Sequence, residues 1–201
     1  MDSVEFFFDY GSPYSYLADT RLAGLEERTG ATVIYRPMLL GGVFKATGNQ
    51  SPFAEPVEAK RRYFSTELRR TVSGLGVAFE SNPHFPINTL GLMRAAYAAM
   101  ALDVFESFHA AIYSAFWTAG SNLGDSDVIE SVLSAAGLDG KGIVALSGKD
   151  EAKAALRATT DEAVERGVFG APTFFVEGEM FFGNDRMDLV EEALTKGAKH
   201  E

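Results

Sequence analysis

The stretch VEFFFDYGSP, residues 4–13, decides the fold. Residues 4–8 form a continuous apolar run of β-forming residues, which is typical of a central strand buried on both faces. Residues 9–11 include residue types that are typical of a turn, and Ser12-Pro13 suits the N-cap and the first position of a helix. A buried strand that turns directly into a helix is the first half of a βαβ unit.

The following residues complete that unit. Apolar residues recur at helical spacing as far as Gly30, which predicts one helix that ends at this glycine. Residues 31–35 form a second β-forming run, closed by Arg36-Pro37. A strand, a helix and a strand in succession predict a parallel pair joined by a right-handed crossover.

Helical patterns then dominate until close to the C-terminus. They cover residues 55–75, 88–101, 103–119, 126–136 and 150–167. Strand patterns return only at 173–176 and 180–182, which predict a hairpin, and a last helix follows from Met187 to Leu194. The sequence therefore predicts an α/β fold in which the βαβ and ββα segments share one sheet.

We expect two structural units. Residues 1–37 and 168–201 would form the sheet domain, and residues 38–149 a large all-helical insertion. The helix at 150–167 would pack on the sheet domain.

Composition excludes several kinds of function. The 201-residue chain has a formal net charge of −10, which argues against nucleic-acid binding, and it has no cysteine, so it cannot form a disulfide or a thiolate. Its three histidines are too far apart in sequence to suggest a metal site. No apolar run approaches the roughly 20 residues needed to span a membrane, and the N-terminus lacks the pattern of a signal peptide. We expect a cytoplasmic protein.

Ser12 is the first candidate for chemistry. A hydroxyl at the start of a helix can stabilise an anion, including a thiolate, and the alternative is an ordinary N-cap. A serine hydrolase is disfavoured, because there is no G-x-S-x-G elbow and only His84, His109 and His200 could serve as a base.

Three other segments have both a functional and a structural interpretation. A cis Ala171-Pro172 bond would turn its backbone toward an extended ligand, and a trans proline would simply open a strand. In Asn184-Asp185-Arg186, Asp185 could accept hydrogen bonds from a ligand ammonium group or cap the last helix. Lys60-Arg61-Arg62 could hold a carboxylate or form a solvated helix face.

Taken together, six motifs resemble one family. They are DYGSPYSY at 9–16, RP at 36–37, TGN at 47–49, FPIN at 85–88, GAPTF at 170–174 and GNDR at 183–186. In this order along the chain they resemble the 2-hydroxychromene-2-carboxylate isomerases, which are relatives of the kappa-class glutathione transferases. The resemblance implies a thioredoxin-like βαβ…ββα core with a large helical insertion, as in DsbA-like oxidoreductases.

The resemblance also implies an activity. It is the glutathione-dependent interconversion of 2-hydroxychromene-2-carboxylate, or a close polycyclic analogue, with trans-o-hydroxybenzylidenepyruvate in aromatic-hydrocarbon catabolism. The alternatives are a kappa-like glutathione transferase and a non-catalytic, peptide-binding thioredoxin-fold module. Disulfide exchange is excluded, because Ser12 and Ser15 stand where DsbA-like relatives have Cys-x-x-Cys.

Roles at the glutathione site follow from the same resemblance. Ser12 would be the catalytic residue, hydrogen-bonding the cofactor sulfur and favouring its thiolate. Ala171, before a cis Pro172, would pair its backbone with the cysteinyl part. Asn184 and Asp185 would hold the γ-glutamyl end.

Further roles concern carboxylates and a second subunit. Asn49 and Lys60 would face the glycyl carboxylate of glutathione. Glu67 would reach the glutathione of a neighbouring subunit, which implies a homodimer. Lys45 and Asn88 are candidates for binding the carboxylate of a small aromatic substrate.

Overall fold

The computed structural model describes residues 2–197. It contains a four-stranded sheet built from β1 (Ser3–Phe8), β2 (Thr32–Pro37), β3 (Thr173–Val176) and β4 (Glu179–Phe182). The strand order is β2-β1-β3-β4, with β1 and β2 parallel and the other pairs antiparallel. The predicted α/β fold, with βαβ and ββα segments in one sheet, is confirmed.

The apolar run in β1 is buried because the strand is central and covered on both faces. Phe6 and Phe8 are on one face, where Phe6 stacks on Phe174 of the neighbouring strand at a centroid distance of 5.2 Å. Phe7 is on the other face, edge-to-face with Phe175 at 5.6 Å. Such aromatic pairs across neighbouring strands stabilise their register.

The first crossover contains two helices instead of the single helix that the periodicity predicted. They are α1 (Pro13–Asp19) and α2 (Leu22–Thr29). The break is at Thr20, whose hydroxyl donates to the carbonyl of Leu17, while Arg21 N–H bonds to the carbonyl of Ala18 in a tighter turn. Helix α2 ends as predicted, at Gly30 with a positive φ of 71°.

The remaining helices lie almost entirely between β2 and β3. They are α3 (Leu40–Thr47), α4 (Glu58–Leu75), α5 (Leu90–Ala101), α6 (Phe105–Trp117), α7 (Ser126–Ala135), α8 (Gly140–Ser147) and α9 (Asp150–Glu165), followed at the C-terminal end by α10 (Met187–Gly197). The sequence patterns located all of these except α3 and α8. Within residues 2–197, no helix has both the length and the apolar character that crossing a membrane requires.

The core extends across the boundary expected between sheet domain and helical insertion. One cluster of buried residues contains Phe6 and Phe8 of β1 together with Phe108 and Phe116 of α6. A smaller cluster on the other face of the sheet includes Ala163 of α9, so this helix packs on the sheet. The division between the two units at residues 37/38 remains a prediction. Residues 198–201 of the expected sheet domain, which include His200, lie outside the described residues.

Candidate active site

A cavity of about 520 Å³ lies where the end of β1 meets the start of α3, the inner face of α4 and the segments on either side of the β3–β4 hairpin. It brings together most residues that were predicted to hold glutathione. The predicted residues that line it are Ser12, Asn49, Glu67, Ala171, Pro172, Asn184 and Asp185. The structure does not place Lys45, Lys60 or Asn88 in this lining.

Ser12 lies at the junction between the βαβ and ββα segments. It is buried and caps α1, because its Oγ accepts a hydrogen bond from Ser15 N at 3.1 Å. The same Oγ donates to the carbonyl oxygen of Ala171 at 3.1 Å. Ser12 is therefore an N-cap, and its hydroxyl also faces a residue that is distant in sequence.

The Ala171-Pro172 peptide bond is cis. The carbonyl of Pro172 accepts a hydrogen bond from Gly183 N at 3.0 Å, which ties the two ends of the β3–β4 hairpin together. Within the part of the chain that the structure describes, no protein acceptor meets the N–H of Ala171. Ala171 lines the cavity, so its N–H is a candidate donor to a bound ligand.

The patterns did not single out Asp9, a buried carboxylate in the cavity lining. Its Oδ1 accepts from Gly11 N, and its Oδ2 accepts from Leu40 N and Thr89 Oγ1, all at 2.9 Å. Burial raises the pKa of Asp9, and these three hydrogen bonds oppose that rise. A polar residue directly after a buried strand is the signal that could have identified it.

Tyr14 and two carboxylates form a polar part of the cavity. Tyr14 OH donates to Glu67 Oε2 at 3.4 Å, so Glu67 faces the cavity of its own chain. Burial, followed by the charges of Glu67 and Asp185, raises the pKa of Tyr14. Asp185 is also paired with Arg186 at 2.6 Å, and its neighbour Asn184 is buried.

Aromatic rings supply much of the remaining surface. Phe53 stacks on Tyr14 at a centroid distance of 6.4 Å and meets Phe85 edge-to-face at 5.0 Å. Phe169 and Phe182 lie 4.4 Å apart in the same lining. This apolar surface suits a planar aromatic ligand.

The basic cluster at the start of α4 interacts with neighbouring residues outside the cavity. Lys60 Nζ is 3.8 Å from Glu55 Oε2, and its side chain is 63% exposed. Arg61 donates to the carbonyl of Glu55 at 3.3 Å, and Arg62 pairs with Glu58 at 3.1 Å. This arrangement corresponds to the solvated helix face.

The residues predicted for the substrate carboxylate are also outside. Lys45 is exposed on α3, and Asn88 is exposed before α5, where its Oδ1 accepts from Leu90 N at 3.0 Å. Of the described residues, no lysine or arginine lines the cavity, whereas three carboxylates do. Residues 2–197 contain no group of three or more histidine, aspartate or glutamate side chains that could hold a metal ion.

Neither described histidine can serve Ser12 as a base. His84 is exposed, and His109 is buried between Tyr10 OH and Asp19 Oδ1, with both contacts at 2.8 Å. Neither lines the cavity. His109 instead anchors Tyr10, which lies two residues before Ser12 and also accepts a hydrogen bond from Trp117 at its carbonyl, at 2.9 Å.

Comparison with known proteins identifies a matching family and relatives that align with almost the whole chain. The DSBA-like thioredoxin domain family matches residues 3–195. The 2-hydroxychromene-2-carboxylate isomerase of Sphingobium xenophagum is 31% identical over 96% of this chain and 97% of its own. Glutathione S-transferase kappa 1 of Caenorhabditis elegans is 29% identical over 95% and 90% of the two chains.

Solved structures agree with this relationship. A selenomethionine structure of 2-hydroxychromene-2-carboxylate isomerase matches with a TM-score of 0.82 and 28% identity, covering 98% of this chain and 97% of the other. A probable DsbA oxidoreductase from Streptomyces coelicolor, with a TM-score of 0.77 and 19% identity over 100% and 92% of the two chains, shares the fold. The chain belongs to the DSBA-like thioredoxin domain family and, within it, to the family of the 2-hydroxychromene-2-carboxylate isomerases.

Proposed function

We propose that this chain is a glutathione-dependent isomerase that interconverts 2-hydroxychromene-2-carboxylate, or a close polycyclic analogue, and trans-o-hydroxybenzylidenepyruvate. The observation that carries the proposal is the contact between Ser12 Oγ and the Ala171 carbonyl, in a cavity that also contains Asn184 and Asp185. A hydroxyl donor, an unpaired backbone N–H and a carboxylate together suit a thiol, a peptide group and an ammonium group.

These polar groups could form hydrogen bonds with most of the polar groups of glutathione. Ser12 Oγ–H would donate to the sulfur, and the N–H of Ala171 to the cysteinyl carbonyl. Asn184 and Asp185 would hold the γ-glutamyl end, and Asn49 would lie toward the other end. When bound, glutathione would supply a thiolate that adds reversibly to the conjugated carbon of the ring-opened substrate.

The chain's own groups would do three things in that reaction. Ser12 would lower the thiol pKa by hydrogen-bonding the ionised sulfur. The rings of Tyr14, Phe53 and Phe85 would orient the aromatic substrate and exclude water around it. Backbone pairing at Ala171 would hold the tripeptide in one register along the cavity.

The test is an absorbance assay of the chromene, with and without glutathione. We expect isomerisation that needs glutathione but does not consume it, with free thiol unchanged at the end of the reaction. Isomerisation at the same rate without glutathione, or no isomerisation of the chromene or its polycyclic analogues, would contradict the proposal.

A kappa-like transferase is the second candidate, and one observation favours it. No cationic side chain of the described residues lines the cavity, so an uncharged electrophile would meet less repulsion there than an aromatic carboxylate. Incubation with glutathione and an uncharged aryl halide, followed by mass spectrometry, distinguishes the two. Release of a glutathionyl product, without turnover of the chromene, would favour the transferase.

A homodimer is part of the same proposal. It was expected because Glu67 would reach a neighbouring subunit, although Glu67 also contacts Tyr14 of its own chain. Light scattering on the purified chain gives its mass in solution. A monomer at working concentration would remove the intersubunit role of Glu67 and leave its contact with Tyr14 intact.

A further inference from the structure

A groove between α5 and α9, beside the start of α3, is a second concave surface of the molecule. Its volume of about 470 Å³ lies within the range of about 300–1,000 Å³ that is usual for small-molecule sites. No residue lines both this α5–α9 groove and the cavity around Ser12. A ligand in the groove would therefore contact a different set of side chains from those proposed to hold glutathione.

Three leucines supply the apolar part of the groove lining. Leu156 of α9 is buried, whereas Leu39 and Leu90 are half-buried and pack against the main core cluster. Because the core holds these side chains in place, they present a preformed apolar surface to a ligand. An apolar ring that covered this surface would remove it from water, which is favourable.

The charged residues of the lining are three cations and two carboxylates. Lys153 is paired with Asp150 at 3.1 Å, and both are exposed. Among the described residues, neither Arg94 nor Arg157 forms an ion pair with a carboxylate, and Asp161 forms none with a cation. The groove thus has an excess of positive charge, although the whole chain has a net charge of −10.

Arg94 lacks the partners that a half-buried charge normally has. Its Nε is buried and has no hydrogen-bond acceptor within the part of the chain that the structure describes. An arginine side chain stays protonated in proteins, so this guanidinium keeps its charge without a counter-ion from the protein. A buried charge costs free energy unless it is paired, and an anion bound at the Nη groups would reduce that cost.

The ligand class follows from these charges together with the leucines. A guanidinium presents its N–H groups in a planar fork that matches a carboxylate or a phosphate group. The three cations and two carboxylates of the lining leave one excess positive charge, which a singly charged carboxylate neutralises. A phosphate dianion would instead leave an excess of negative charge beside Asp150 and Asp161. A carboxylate joined to an apolar ring therefore suits the groove best.

We propose that the α5–α9 groove is a second ligand site, which binds a small carboxylate joined to an apolar ring through Arg94 and Arg157. The carboxylate would accept hydrogen bonds from the two guanidinium groups, and the ring would cover the leucines. This inference does not rest on the proposed function, because it uses no residue of the glutathione site.

The test is an NMR titration of the full chain with benzoate, with the neutral benzamide as a control and phenyl phosphate as a dianionic comparison. We expect saturable binding of benzoate, with shift changes at the Arg94 Nε–H and at the backbone amides of Leu90 and Ala154. Benzamide should bind at least about tenfold more weakly, because it forms no charge-assisted hydrogen bonds. Added salt should weaken the binding of benzoate, because it screens the attraction between the carboxylate and the arginines.

Variants of the two arginines test their contribution. Arg94→Gln and Arg157→Gln should each weaken the binding of benzoate by about tenfold or more and change that of benzamide by no more than about twofold. Arg94→Lys keeps the charge without the planar fork, so it should lose less affinity than Arg94→Gln. Because Arg157 is exposed, its replacement tests the site even where a change at the half-buried Arg94 disturbs folding.

Arg70→Gln is the matched control for these variants. Arg70 is exposed on α4 and lines neither the groove nor the cavity. Its replacement removes the same charge from the chain and should change the affinity for benzoate by no more than about twofold.

Four outcomes would overturn the inference. Benzoate shift changes that do not saturate would show that the groove holds no site. Equal binding of benzoate and benzamide, or unchanged binding of benzoate in both glutamine variants, would show that the guanidinium groups are not used. Shift changes confined to the cavity around Ser12 would place the ligand there instead. Binding of phenyl phosphate more than about tenfold tighter than of benzoate would assign the groove to phosphate esters.

Discussion

At the scale of single residues, Ser12 and Asp9 show two ways in which polar groups are held at the end of β1. The hydroxyl of Ser12 accepts a hydrogen bond from its own helix and donates another to the Ala171 carbonyl. The Asp9 carboxylate accepts three hydrogen bonds from residues on three chain segments. Because Ser12 can redirect its proton toward a ligand by rotation about one bond, it is the group suited to a changing partner.

Substitution Ser12→Ala should reduce turnover by on the order of 10²-fold, the usual cost of removing one hydrogen-bond donor that faces developing charge. Loss of the N-cap should lower the free energy of unfolding by only about 0.5–2 kcal/mol. Kinetics at saturating glutathione and urea unfolding measure the two effects.

Ser15→Ala provides the matched control for Ser12. The Ser15 hydroxyl is buried and has no hydrogen-bond partner within the described residues, so its removal should leave both turnover and stability near wild type. Equal turnover of Ser12→Ala and Ser15→Ala would contradict the assignment of Ser12.

The second residue-scale prediction concerns pH. Burial raises the folded-state pKa of Asp9 above its ordinary value of 3.8, so the folded chain binds this proton more tightly than the unfolded chain does. The contribution of Asp9 to stability should therefore increase as the pH falls through its folded pKa toward 3.8, and decrease as the pH rises.

The pKa itself can be measured by NMR titration of the aspartate carboxyl carbons, with Asp9→Asn to assign the signal. A carboxyl that titrates above 3.8 is expected. Titration of this signal below 3.8 would show that the three hydrogen bonds outweigh burial.

At the scale of elements, α3 shows why some helices escaped prediction. Its sequence contains Gly41 and Gly42, which have poor helix propensity, and its N-cap Leu39 has no side chain that can cap. Side chains that are distant in sequence cap the first N–H groups instead. The N–H of Leu39 donates to the hydroxyl of Thr160, and the N–H of Leu40 donates to the carboxylate of Asp9. No local pattern contains that information.

The β3–β4 hairpin yields an element-scale prediction. Its two-residue turn has positive φ at Glu177 (49°) and Gly178 (85°), as a type I′ turn requires. A Cβ at Gly178 would touch nothing within 4 Å, so only its backbone conformation opposes substitution. Gly178→Ala should lower the free energy of unfolding by about 1–2 kcal/mol, measured in urea.

Gly74→Ala is the matched substitution for this prediction. Gly74 lies inside α4 without positive φ, and a Cβ there also meets nothing within 4 Å. Alanine should therefore raise stability by roughly 0.5–1 kcal/mol. A stabilising Gly178→Ala, or a destabilising Gly74→Ala, would contradict this account of the two glycines.

At the scale of the whole molecule, the core joins the sheet to the helices. Phe6 and Phe8 of β1 belong to the same buried cluster as Phe108 and Phe116 of α6. Trp117 is buried, and its Nε1 donates to the carbonyl of Tyr10 beyond the end of β1. The helical insertion therefore shares one core with the sheet, across the boundary expected at residues 37/38.

This continuity predicts one cooperative unfolding transition. Trp117, the single tryptophan, reports on the junction by fluorescence, and far-ultraviolet circular dichroism reports on the helices. We expect coincident urea midpoints for the two probes, because neither the sheet nor the helical insertion can unfold without exposing the core that both share. Two separated midpoints would instead support residues 38–149 as an independent domain.

The sequence by itself determined that the βαβ and ββα segments share one sheet, the central place of β1, most helices, the absence of cysteine chemistry and the candidates Ser12, Ala171 and Asn184-Asp185. These follow from local patterns of polarity, turn chemistry and composition, which act over a few residues. Only the tertiary structure decided that these candidates share one cavity and that Asp9 caps α3. It likewise placed the cations of α4 outside the cavity. Such contacts join residues far apart in the chain, and side-chain direction depends on packing that no local pattern encodes.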